Sequence, residues 1–135
     1  MELIFDRTEA DVLQGSPKGS YSHTDLNRVE SAVGALQNRC PALDIYPGLA
    51  VKTDWGLPGS FSPERYPTQS QMARYLHNVR TLCGLCGIGA PLPETMEQLT
   101  WRDANALEQA LRQVSDRIAA VEDAFPRSGE AYAQS

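Results

Sequence analysis

Between residues 104 and 125 the apolar positions Ala104, Leu107, Leu111, Val114, Ile118, Val121 and Phe125 recur alternately three and four residues apart. This is the period of one helix face turned toward another helix, and a strand, whose side chains alternate with period two, does not produce it. Such a seam is buried by a left-handed helix–helix contact, either inside a bundle or against another copy of the chain. Thr100 and Asp103 supply a capping pair at its start and Pro126 stops it. The remaining chain must therefore provide helices for this one to pack on.

Two further segments qualify. In Pro67 to Leu82, Thr68 caps the first turn and Gln71, three residues on, completes a capping box. Met72, Tyr75, Leu76, Val79, Leu82 and Cys83 then form one apolar stripe, with Gly84 and Gly87 as its stop signals. Earlier, Ser22 and Asp25 form a second capping pair for a helix to about Arg39, with Leu26, Val29, Val33, Leu36 and Cys40 as its stripe and Pro41 as its end. A short N-terminal helix is expected from Thr8, its cap, to Gly15, and Thr95 to Leu99 reads as one more helical turn. The expected fold is all-α: a helical bundle of three main helices with a short N-terminal helix, a single domain over residues 1–126, and a polar tail from 127 to 135.

From Pro41 to Pro67 the chain carries five prolines, three glycines and the aromatics Tyr46, Trp55, Phe61 and Tyr66, without a helical period. A connection this long is uncommon in a compact domain unless it has work to do. The four aromatics are accordingly expected to contact a partner, remaining partly wet until they dock; the alternative is that they plug the loop onto the core.

Charge narrows the partner. With a net charge of −5 and only two lysines, the chain lacks the basic clusters a nucleic-acid binder needs for counterion release. No apolar run has the length to span a bilayer, and Met1 to Asp6 does not read as a signal peptide, so synthesis in the cytoplasm is expected. Three cysteines, an odd count, argue against a disulfide framework.

Few residues point to chemistry. Cys83 and Cys86 have C-x-x-C spacing, but at a helix C-terminus the dipole opposes a thiolate, and no second paired motif completes a zinc site. They read as small apolar residues finishing the stripe, so no metal and no cofactor is expected. His23 and His77 stand without a nucleophile in a strand–turn–helix setting. Asn27, Asn78 and Asn105 each fall inside a helix, where Asn is mildly unfavourable. They either fasten loop backbone or a neighbouring subunit through side-chain hydrogen bonds, or face solvent.

Taken together, Asp6-Arg-Thr-Glu-Ala-Asp-Val12, Lys18-Gly-Ser-Tyr21, Thr24-Asp-Leu-Asn-Arg-Val-Glu30, Lys52-Thr-Asp-Trp55, Pro67-Thr68, Met72-Ala-Arg-Tyr-Leu-His-Asn-Val79, Leu92-Pro-Glu-Thr-Met-Glu-Gln-Leu-Thr100 and Ala104-Asn105 resemble, in order and spacing, a family of small proteins and domains encoded in prophages of gram-positive bacteria. The resemblance implies a virion structural component of a tail, baseplate or fibre, with no catalytic residues to carry over. Expected partners are other phage tail or baseplate proteins and further copies of this chain. The competing reading is a small module that binds host-surface glycan through Tyr46, Trp55 and Tyr66, and glycan titration separates the two.

Overall fold

The computed structural model describes residues 2–19, 21–39, 48–55 and 68–124. Four α-helices follow in chain order: α1 (Glu9–Leu13), α2 (His23–Arg39), α3 (Gln69–Cys86) and α4 (Trp101–Ala124), with a 3-10 turn at Pro17–Gly19. The described residues contain no strand, so the fold is the all-α bundle expected. Their helices also include none long and apolar enough to cross a membrane.

Each helix begins where a short polar side chain satisfies first-turn backbone groups. Thr8 and Thr68 form reciprocal capping boxes with Asp11 and Gln71. Thr100 and Asp103 do the same, each backbone N–H donating to the other's side chain at 3.1 Å. The Ser22 N–H donates to Asp25 Oδ2 at 2.7 Å. At the other end of α3, Gly87 adopts the left-handed conformation at φ 68°, while the Ile88 N–H reaches back to the Cys83 carbonyl at 2.8 Å. This pattern lets the helix run to Cys86 and leaves Gly84 within it.

One turn expected from sequence is not helical. Residues 94–98 form bends and a turn, with Gln98 at φ 54°. The segment is confined between Pro93 and the Thr100 cap of the next helix.

The three long helices bury their stripes against one another. Val29, Val33 and Leu36 of α2, Leu76, Val79 and Leu82 of α3, and Leu107, Leu111, Val114 and Ile118 of α4 form one core. The α4 seam is thus occupied from within the chain. Val121, at 39% exposure, marks where its partners run out; Phe125 and the tail at 127–135 lie outside the described residues.

Candidate functional site

Two extended segments lie across the bundle, and helix-borne side-chain amides hold both. Asn27 accepts the Trp55 N–H at 2.8 Å and donates to the Trp55 carbonyl at 3.0 Å. Gln37 treats Leu49 the same way, at 2.7 and 3.0 Å, and Asn78 donates to the Ala50 carbonyl at 2.8 Å. On the other side of the bundle, Asn105 accepts the Arg7 N–H at 3.0 Å and donates to the Arg7 carbonyl at 2.9 Å. A carboxamide carries one acceptor and a donor group side by side, so it pairs with extended backbone as a neighbouring strand would. The three asparagines therefore fasten backbone of their own chain. Gln37 belongs to the same set, and no sequence signal distinguishes it, because glutamine is unremarkable in a helix.

Beneath residues 49–55 lies a buried carboxylate. Glu30 is 1% exposed, and its two oxygens accept the Trp55 indole N–H at 2.6 Å, the Lys52 backbone N–H at 3.0 Å and both terminal nitrogens of Arg74 at 2.6 and 3.0 Å. Arg74 also reaches the Ala50 carbonyl. A buried carboxylate is tolerable only with such partners.

Trp55 itself is 1% exposed, which corrects the expectation that it would stay wet as a docking residue. Its ring is packed into the core and its only polar atom is matched by Glu30, so the residue anchors the loop to its own bundle. Tyr46, Phe61 and Tyr66, the other aromatics expected at an interface, lie outside the described residues.

The N-terminal arm is seated on a second charged cluster. Arg7 bridges Asp25 at 3.1 Å and Glu108 at 2.6 Å, and Arg28 bridges the same two carboxylates, reaching Glu108 at 2.7 Å. Glu108 also accepts the Ile4 N–H at 2.9 Å, and Arg7 donates to the Ile4 carbonyl at 2.8 Å. Two guanidinium groups thus meet two carboxylates, so the buried charge is balanced. The Arg7 guanidinium lies 5.6 Å from the centre of the Tyr21 ring, and the Tyr21 hydroxyl is hydrogen-bonded to that of Tyr75. Burial pushes both phenols well above their ordinary range, with the negative field of Glu108 adding to it.

Both buried glutamates share one sequence signal. Glu30 stands four residues after Leu26 and three before Val33; Glu108 stands four after Ala104 and three before Leu111. Each therefore lies on the core-facing stripe of its helix. Their partners are saturating, and neither presents an open position to a substrate.

Cys83 and Cys86 occupy the apolar positions assigned to them, both buried in the last turns of α3. Burial pushes the Cys83 thiol up to about 11, with a smaller contribution from Cys86. His23 and His77 are exposed. No group of three or more metal-ligating side chains occurs among the described residues.

An open groove of about 380 Å³ lies between α3 and the 94–97 turn. Met72, Leu76 and Met96 supply its apolar lining, with Arg80, Glu94 and Glu97 among its polar residues. Compared with protein-family models, with characterised proteins and with solved structures, the chain matches none.

Proposed function

We propose that this chain is a non-enzymatic structural or adaptor component of a phage tail, baseplate or tail-like particle, present in the virion after synthesis in the bacterial host and acting through assembly contacts with other tail proteins and with copies of itself. One observation carries the reading. The segments that resemble the prophage family hold most of the residues that fasten arm and loop to the bundle, namely Arg7, Asn27, Arg28, Glu30, Trp55, Arg74, Asn78 and Asn105, while Gln37 and Glu108 lie outside them. A chain whose distinctive polar residues are spent on holding its own shape offers a rigid surface, which is what an assembly part needs.

The glycan alternative loses Trp55, whose ring is enclosed. The deciding experiment is imaging of particles from a host carrying the prophage, with and without this chain. Density for the chain in the tail or baseplate, and defective tails in its absence, are expected. Normally assembled, infectious particles lacking the protein would overturn the proposal.

A further inference from the structure

The groove between α3 and the 94–97 turn combines two chemistries in one place. Met72 and Leu76 are one turn apart on α3 and line the groove together with Met96, and the two flexible methionines can adapt to the shape of an occupant. Glu94 and Glu97 belong to the same wall, and both are exposed. Gln69 donates to Glu97 Oε1 at 3.1 Å, so a neutral group holds that carboxylate at the groove. Its cation, Arg80, donates to the neutral Pro93 carbonyl at 2.6 Å. The lining thus carries two carboxylates against one guanidinium, on a chain whose net charge is already −5.

From this complementarity we propose that the groove is a docking site for a basic segment of a neighbouring protein, one that presents a lysine or arginine beside an apolar residue. The apolar neighbour and the aliphatic stem of the basic residue lie on Met72 and Met96, while the charged head reaches Glu94 and Glu97. Lysine and arginine are suited to such a site because their stems are apolar and their heads are not. A volume of about 380 Å³ is at the lower end of what small-ligand sites use and fits a few side chains rather than a whole helix. The identification of the occupant as a protein segment rests on the assembly reading above; the chemistry of the groove does not.

The test uses the full chain labelled with 13C at its methionine methyls. There are three methionines, and Met72→Leu and Met96→Leu assign the two groove signals. Titration with acetyl-Ala-Leu-Lys-Ala-amide is expected to move both, with acetyl-Ala-Leu-Gln-Ala-amide binding more weakly and acetyl-Ala-Leu-Glu-Ala-amide weakest. The double variant E94Q/E97Q is expected to bind the lysyl peptide about tenfold more weakly, as the loss of two exposed charge contacts implies. Added salt should weaken wild-type binding in the same direction. Ala73→Trp, at an exposed helix position lining the groove, should block it while leaving helical content unchanged. Unmoved Met72 and Met96 signals at millimolar lysyl peptide overturn the docking site, and equal binding of all three peptides overturns its preference for a basic segment. Either result leaves the tail assignment to particle imaging, which succeeds or fails independently of this groove.

Discussion

The indole N–H of Trp55 donates to Glu30 Oε2 at 2.6 Å, and both side chains are 1% exposed. A helix carboxylate 25 positions away in the chain thus satisfies the only polar atom of the indole, while Lys52 N–H and Arg74 complete the partners of Glu30. Trp55→Ala should destabilise the free chain by about 3–5 kcal/mol, through lost burial and the cavity left behind. Glu30→Ala should cost about as much, because it strips the partner from the indole, the Lys52 N–H and Arg74 together. The two losses should couple by about 0.5–3 kcal/mol in a double-mutant cycle read by urea unfolding. A Trp55→Ala chain as stable as wild type would return the residue to the surface.

Leu76 is 2% exposed, between the core and the groove. Leu76→Ala should cost roughly 2–5 kcal/mol in chemical denaturation. A loss below about 0.5 kcal/mol, the size typical of surface sites, would mean that the buried face of α3 is another one.

The arm depends on its charges being matched. Arg7→Met leaves Glu108 and Asp25 with Arg28 alone, and should lower stability by about 3–5 kcal/mol, as expected when one member of a buried ionic cluster is removed. Asn105→Ala removes the two bonds to the Arg7 backbone and the one Asn105 accepts from the Arg7 guanidinium, and should cost about 1–3 kcal/mol. Hydrogen exchange distinguishes local from global effects: in Asn105→Ala the Ile4 and Arg7 amides should lose protection while α3 amides keep theirs. Uniform loss of protection would show that the arm does not open separately.

Alkaline pH should unfold the chain through its phenols. The folded state holds the protons of Tyr21 and Tyr75 above the ordinary tyrosine value of 10.0. Between that value and the folded values the unfolded chain therefore binds fewer protons than the native one. Stability is then fully present below about pH 10 and falls as pH rises further. In a 295 nm titration, two tyrosinates should appear only together with loss of the helical circular dichroism signal. Tyr21→Phe and Tyr75→Phe should each remove part of that delayed absorbance. The Cys83 thiol, ordinarily near 9.0 and pushed up to about 11 by burial, loses its contribution across that interval with the same sign. Alkylation of Cys83 at pH 8 should accordingly be slow in the native chain and fast in urea.

The sequence by itself determined where helices begin and which faces they bury. Capping is a contact within four residues, so Thr8, Ser22, Thr68 and Thr100 announce their helices locally, and the stripes follow from the helical period. It also singled out Asn27, Asn78 and Asn105, whose carboxamides inside helices either bond elsewhere or face solvent, without choosing between the two. What each one fastens was decided only by tertiary structure, which brings Asn105 to Arg7 across 98 residues and Asn27 to Trp55 across 28. The same holds for the two buried glutamates: spacing puts Glu30 and Glu108 on core faces, but which arginines neutralise them depends on how three helices and two extended segments are laid against one another. Trp55 shows the consequence most directly. Its local surroundings, rich in proline and glycine, indicate a loop, and its burial depends on an acceptor that another element carries into reach. Local hydrogen bonds and periodicity are written in neighbouring residues, whereas desolvated charges and indole N–H groups find their partners only when the chain has closed around them.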